Sequence, residues 1–324
     1  MNDRPRIAIV TAADEGWPPG LDPLHEQADL TLANDEKSLR QALAVADILM
    51  VTDFRTDLLE DCWPQQHRIR WIHATSAGVD ALMIPPIRDS EIPVTKARGI
   101  FDRPIAEFVL GLILCFAKDF PGSLRHQAER EWVHRETERV EGKRALVVGA
   151  GSIGRQIGRL LGAAGLSVTA MGRSAREDDP DFGQVHAAEQ LHALLPDADY
   201  VVVAAPLTPD TEGLFDATAF SLMQPTARFI NIGRGPIVRT DDLVAALDNG
   251  EIAGAGLDVF EQEPLPANHP LWTMQNAILS AHMAGDVIGW KEALSEQFVA
   301  NFKRWQAGES LQNLVDKERG YAAR

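Results

Sequence analysis

Three residues of different chemistry, Arg234, Glu263 and His282, sit in short contexts that suit a reaction centre. The first lies in Asn231-Ile232-Gly233-Arg234-Gly235, the second in Leu257-Asp258-Val259-Phe260-Glu261-Gln262-Glu263-Pro264, and the third in Leu279-Ser280-Ala281-His282-Met283-Ala284-Gly285. A guanidinium grips a carboxylate with a two-pronged fork that lysine lacks. An imidazole moves a proton near neutral pH, and a carboxylate against it favours and orients its protonated form. Together they form a minimal set for reducing a 2-keto acid. Gly233 and Gly235 are expected to leave room for a ligand beside Arg234, at the carboxyl end of a strand where α/β sheets gather ligands. Glu261 reads as a solvated acid.

All three lie downstream of Gly149-Ala150-Gly151-Ser152-Ile153-Gly154, a glycine fingerprint between an apolar strand and a helical pattern. Gly149 suits a tight turn, Gly151 lets a pyrophosphate approach the backbone, and Gly154 allows helix and strand to pack closely. The helix start, at Ser152 and Ile153, offers N–H groups and a favourable dipole to the anion. A dinucleotide is therefore the expected cofactor. Its type is read from the end of the next strand, where a carboxylate would bind the ribose hydroxyls of NAD. Here Gly172 holds that place, followed by Arg173-Ser174-Ala175-Arg176, read as a basic turn. Arg173 and Arg176 offer charge-assisted hydrogen bonds to a 2′-phosphate and Ser174 a neutral one, so NADP(H) is expected over NAD(H). The competing reading has Asp178 or Asp179 swinging back to the ribose.

The elements that must position these residues alternate along the chain. Strands are expected at Arg6 to Val10, Ile48 to Val51, Trp71 to Ala74 and Pro93 to Thr95, with helices over Asp35 to Val45 and Leu58 to Cys62. A long helix is expected after Pro104, ended by Pro121-Gly122, then a polar helix carrying Arg125, Glu129 and Arg130. A second α/β series starts at Arg144, with strands at Leu166 to Ala170, Tyr200 to Ala204, Arg228 to Ile232, Gly254 to Asp258 and Ala277 to Leu279. A helix from Asp241 to Asp248 ends at Asn249-Gly250, and a last helix from about Trp290 to Gln306 should return to the first domain. The pattern is two doubly wound parallel sheets.

A chain of 324 residues accommodates two domains. The formal charge of −16 opposes nucleic-acid binding, whose phosphates such a surface repels. Ile105 to Ala117 is too short for a bilayer and reads as a buried helix, so no membrane partner is expected. Cys62 and Cys115 are far apart and carry no metal or redox spacing; no metal is expected, and a reducing cytoplasm is the simplest compartment.

With these residues in view, the chain resembles the D-2-hydroxyacid dehydrogenase family, in the manner of the glyoxylate/hydroxypyruvate reductases. The likeness runs from the loop Ser76-Ala77-Gly78-Val79-Asp80 to His282, through Ile105-Ala106-Glu107, Ala205-Pro206-Leu207-Thr208 and Thr211-Glu212-Gly213-Leu214. The resemblance implies a Rossmann nucleotide-binding domain, residues 104–284, inserted in a discontinuous flavodoxin-like substrate domain, residues 1–103 and 285–324, with the active site in the cleft. It implies that the substrate carboxylate binds the amides around Ala77 and Gly78 and Arg234, that His282 protonates the keto oxygen, and that Glu263 holds His282. Asp258 is implied beside the nicotinamide, with Ala205, Pro206, Thr211, Ile232, Gly233 and Ala284 among the cofactor contacts. A homodimer through the nucleotide domain, touching along Phe108 to Trp132, is also implied.

The chain departs from the family in two places. One is the missing carboxylate at Gly172. The other is Met283-Ala284-Gly285-Asp286-Val287-Ile288-Gly289-Trp290 after His282, which is bulkier and more acidic than the usual small-residue and threonine pattern. A formate dehydrogenase on this fold pairs its histidine with glutamine, where this chain has Glu263. The reading from another class is a nucleotide-sensing regulator of the corepressor kind.

Overall fold

The computed structural model describes residues 4–52, 58–317 and 321–322. It divides into two compact units, residues 1–100 with 287–324 and residues 101–286.

In the first unit, five strands form a parallel sheet of order β2-β1-β3-β4-β5. They are β1 (Arg6–Val10), β2 (Asp29–Ala33), β3 (Ile48–Val51), β4 (Trp71–Ala74) and β5 (Val94–Lys96). This is the flavodoxin-like order. The runs Ile48–Val51 and Trp71–Ala74 are buried throughout, as parallel strands covered on both faces must be. Alternate residues divide between the faces. Ala8, Val10, Leu49, Val51 and Ile72 pack beneath α1 (Glu36–Leu43), α2 (Leu59–Cys62) and α3 (Pro85–Arg88). Ile7, Ile9, Ile48, Met50 and Trp71 face the other way. Asp35 starts α1 with a capping box closed by Ser38.

The second unit opens with α4 (Asp102–Ala117) and α5 (Phe120–Glu129). Pro104 sits in the first turn of α4, where its missing N–H costs nothing. The expected stop at Pro121-Gly122 is corrected: those residues begin α5, Pro121 in its first turn and Gly122 N–H donating to the Asp119 cap at 3.0 Å. What ends α4 is the left-handed Asp119 (φ 47°).

There follow β6 (Arg144–Val148), α6 (Ser152–Ala163), β7 (Ser167–Met171), β8 (Arg176–Asp179), β9 (Gly183–His186), α7 (Leu191–Leu194), β10 (Tyr200–Val203), α8 (Ala217–Ser221), β11 (Arg228–Asn231), α9 (Thr240–Asp248), β12 (Gly254–Leu257) and β13 (Ala277–Leu279). The sheet order is β13-β12-β11-β10-β6-β7-β9-β8, parallel except for the hairpin β8–β9. Chain order reverses between β6 and β10, the switch point at which this class of sheet binds ligands. Arg173 to Arg176 leads into that hairpin, with Arg176 already paired to Val185. α4 packs on α6, and Leu112 and Phe116 lie against Gly256 and Gly254 of β12.

The chain then returns to the first unit as α10 (Trp290–Ala307), whose Phe298 and Phe302 close the second face of the first sheet. Phe298 stacks on Trp71 with ring centroids 5.1 Å apart. Two short strands, β14 (Val315–Asp316) and β15 (Tyr321–Ala322), pair antiparallel at the end. No helix among the described residues is long and apolar enough to cross a membrane.

Candidate active site

The fingerprint lies where β6 ends, between β7 and β10. Gly149 takes φ +114°, and a Cβ there would sit 2.6 Å from the Ala204 carbonyl carbon. At Gly154 a Cβ would land on the Gly149 carbonyl, with Val147 of β6 behind it. These two positions require glycine for close approach, while a Cβ at Gly151 would meet nothing within 4 Å. That open space faces the start of α6, whose first turn has no side-chain cap. The first turn, Ser152, Ile153 and Gly154, thus carries backbone donors seeking an anion at the positive end of the helix dipole. The cradle fits a dinucleotide pyrophosphate.

Beside it, the Ala205-Pro206 loop follows β10. Thr211 folds this loop by donating its hydroxyl to the Pro206 carbonyl at 2.7 Å and accepting from Thr208 N–H at 2.8 Å. Ile232 continues β11, its N–H on the Val203 carbonyl at 3.1 Å.

Arg234 follows β11 in extended conformation (φ −145°, ψ 144°). The buried Asn231 shapes this turn, its side-chain carbonyl accepting from Gly233 N–H at 3.0 Å and its amide donating to the Arg234 carbonyl at 3.1 Å. The space beside the two glycines differs from expectation. A Cβ on Gly233 would lie 2.8 Å from the Ala205 carbonyl oxygen, and one on Gly235 would land on the Phe260 peptide group. At both positions protein backbone takes the space that a side chain would fill. The Gly235 contact has its own use: it seats the Arg234 segment against the turn that carries Glu263.

Glu263 accepts from Phe260 N–H through Oε1 at 2.9 Å and contacts His282 Nδ1 through Oε2 at 2.8 Å. Both side chains are about three-quarters buried (24% and 27% exposed). Burial pushes the Glu263 carboxyl up. The hydrogen bonds from His282 and the Phe260 N–H, with the charges of His282 and Arg234, outweigh burial and hold it below its ordinary value. Arg234 and His282 therefore both act electrostatically on one carboxylate. Glu261, read as a solvated acid, is exposed; it also accepts from Thr240 N–H at 2.8 Å and supplies α9 with the N-terminal acceptor it lacks.

His282 occupies the left-handed region (φ 52°), unusual for a residue with a Cβ. Asp258 holds it there. Its carbonyl accepts from His282 N–H at 2.8 Å, and its buried carboxylate accepts from the Ser280 hydroxyl (2.6 Å), Met283 N–H (2.9 Å) and Ala284 N–H (2.9 Å). Neither this clamp nor the role of Asn231 was legible beforehand, because their partners are main-chain groups. The one available signal was that a short polar residue ends each of two otherwise apolar strands.

Two groups of expected residues lie elsewhere. Ala77 and Gly78 belong to the first unit, in the loop after β4; Ser76 hydroxyl donates to the Gly78 carbonyl and Lys96 Nζ to the Ala77 carbonyl. Arg173 and Ser174 are exposed at the end of β7, and Arg176 leads the β8–β9 hairpin.

The family model of the D-isomer specific 2-hydroxyacid dehydrogenase NAD binding domain matches residues 110–284. A glyoxylate reductase from Thermofilum pendens is 31% identical across 97% of this chain and 95% of its own. The chain belongs to the D-isomer specific 2-hydroxyacid dehydrogenase family. It is thus a 2-hydroxyacid dehydrogenase, an oxidoreductase with a Rossmann domain for the nucleotide. A solved D-isomer specific 2-hydroxyacid dehydrogenase from Xanthobacter autotrophicus Py2, in complex with NADPH and MES, superposes with a TM-score of 0.80 at 31% identity, covering 98% of this chain and 100% of that one. An NADPH-dependent glyoxylate/hydroxypyruvate reductase from Sinorhizobium meliloti, in complex with NADP and sulfate, gives a TM-score of 0.83 at 25% identity over 98% and 100%. The stretch matched by the NAD binding domain contains Arg234, Glu263 and His282 as well as the fingerprint.

Proposed function

We propose that this dehydrogenase reduces a small 2-keto acid of the glyoxylate or hydroxypyruvate kind to the D-2-hydroxy acid, using NADPH. The observation that carries the reading is the 2.8 Å contact of Glu263 with His282 Nδ1, in the same unit as an open fingerprint and with Arg234 acting on the same carboxylate. NADPH, when bound, supplies a hydride to the keto carbon. Residues 101–286 would hold the nucleotide, Gly151 and the first turn of α6 receiving its pyrophosphate, with Ala205, Pro206, Thr211, Ile232, Gly233, Ala284 and Asp258 as further contacts.

Arg234 grips the substrate carboxylate and so fixes the direction of the keto group. Glu263 occupies Nδ1 of His282, which leaves Nε2 to deliver the proton to the keto oxygen. The positive charge on the imidazole before transfer is stabilised by the Glu263 carboxylate, kept ionised by its low pKa. Asp258 and Asn231 hold the backbone around His282 and Arg234.

NADPH over NADH rests on Gly172 standing where a carboxylate would be, and on Arg173, Ser174 and Arg176 around it. The relatives solved with NADPH or NADP point the same way. We also propose a homodimer through this unit. Phe120 (51% exposed), Leu124 (65%) and Trp132 (99%) present apolar side chains within the contact stretch expected from the family.

The deciding experiment is a panel of 2-keto acids assayed with NADPH and with NADH, following loss of the reduced nicotinamide. Turnover of glyoxylate or hydroxypyruvate, faster with NADPH, supports the reading. No turnover across the panel would refute it and favour a regulatory protein on this fold.

A further inference from the structure

The β8–β9 hairpin is tied to α6 by an ion-pair network that no step of the proposed reaction uses. Arg155, in the first turn of α6, meets Asp179 with both guanidinium nitrogens at 2.7 Å, and also meets Asp181 at 2.6 Å. Arg159 donates to the other oxygen of Asp181. Asp181 N–H donates to Asp179 at 3.2 Å, and the ring of Phe182 fills the notch at Gly158 on α6. The Asp179 side chain is 2% exposed, so its carboxylate cannot swing out to a ribose. Asp179 also accepts from the Phe182 backbone, and its Oδ2 contacts Arg176 Nε at 3.3 Å, while Nη2 of Arg176 reaches the Ala150 carbonyl inside the fingerprint at 3.5 Å. Three guanidiniums thus face two carboxylates. Arg155 and Arg159 pair with the two acids, and Arg176 is the arginine of this network that reaches the fingerprint.

We propose that Asp179 is a positioning residue for cofactor selectivity: it holds the Arg176 guanidinium against the fingerprint, aimed at the 2′-phosphate of NADPH. The inference rests on the NADPH reading above. A long flexible side chain loses rotamer freedom when it binds, and fixing it in advance moves that cost to folding. A carboxylate already saturated by a bidentate arginine can orient a second guanidinium without cancelling the charge offered to the phosphate. The hairpin therefore gives Asp179, the acid that the competing reading would swing back to the ribose, a different task.

The test is fluorescence titration of the full-length protein with NADPH and, separately, NADH. Asp179→Asn should weaken NADPH roughly tenfold, about 1.4 kcal/mol, and leave NADH within about twofold. Asp181→Asn, which breaks the neighbouring pairs without touching Arg176, should preserve the NADPH/NADH ratio. In an Arg176→Ala background, Asp179→Asn should cause no further loss of NADPH affinity. Equal losses for both nucleotides, or an unchanged ratio in Asp179→Asn, would overturn the proposal. Should Asp179→Asn not fold, Arg176→Lys decides: it keeps the charge but cannot reach Asp179 and Ala150 together, so the ratio should fall, and a ratio within about twofold of wild type overturns the proposal. A wild type that binds NADH as tightly as NADPH overturns the cofactor reading and this proposal with it, whereas a preserved preference in Asp179→Asn overturns the proposal alone.

Discussion

In the proposed reaction Arg234 is the residue whose chemistry is hardest to replace, because its planar fork would set both the grip on a carboxylate and the angle of the adjoining ketone. Arg234→Lys should lower kcat/KM by about 10²-fold or more with NADPH affinity little changed; steady-state kinetics with a nucleotide titration check this, and survival of turnover within about threefold would remove Arg234 from the role. His282→Ala should cost roughly 10²–10⁴ in rate. Glu263→Gln should be milder and should move the pH profile of reduction to lower pH, since a neutral amide no longer favours the imidazolium; an unchanged profile would break the link between the two. Glu263 also sets an acid limit. Its folded pKa lies below the ordinary value, so its stabilisation is complete above that value and is lost as pH falls through the lowered one. Unfolding measured against pH should show this acid loss in wild type and not in Glu263→Gln. The three residues were legible from type and context because each is a rare choice at a strand end or in a proline-rich loop. Asn231 and Asp258 were not, since an amide or carboxylate that binds main chain has no spacing of its own in sequence.

At the scale of elements, the apolar runs Ile48–Val51 and Tyr200–Val203 announced themselves as buried parallel strands, and their partners followed from the alternation with helices. Pro121 was misread because proline both ends one helix and opens the next, and only the left-handed Asp119 between them tells which. The β8–β9 hairpin escaped because Arg176–Asp179 is charged throughout, and its strand character comes from pairing and from Arg155 rather than from burying apolar side chains. Gly235 was read as room for a ligand, and the reason lay in another segment, the Phe260 peptide. Gly235→Ala should therefore push the Arg234 segment off the Glu263 turn. A loss of about 1–3 kcal/mol in urea unfolding is expected, together with a fall in kcat/KM and unchanged NADPH affinity. Unaltered stability and kinetics would show the contact to be dispensable.

Across the whole molecule, the two-sheet architecture was readable because each sheet repeats the same alternation, and the return of α10 to the first unit because its apolar residues have no other sheet in sequence to cover. The proposed homodimer makes its own demand: in sedimentation the protein should run at twice the chain's mass, and Leu124→Glu with Trp132→Ala should reduce it to the chain's mass while nucleotide binding survives. A wild type sedimenting as a single chain would leave the exposed apolar stretch unexplained by self-association. The discontinuity of the first unit has a consequence in time as well as in space. Ile7, Ile9 and Trp71 leave the ribosome long before Phe298 and Phe302, the side chains that cover them. At ~5–20 residues per second, that face of a finished parallel sheet waits on the order of 10–50 seconds for its lid while the entire inserted domain is made and folds first. A stop just before Trp290 should leave that apolar face uncovered and yield a fragment that aggregates, however complete its nucleotide domain, as light scattering of the truncated chain would show.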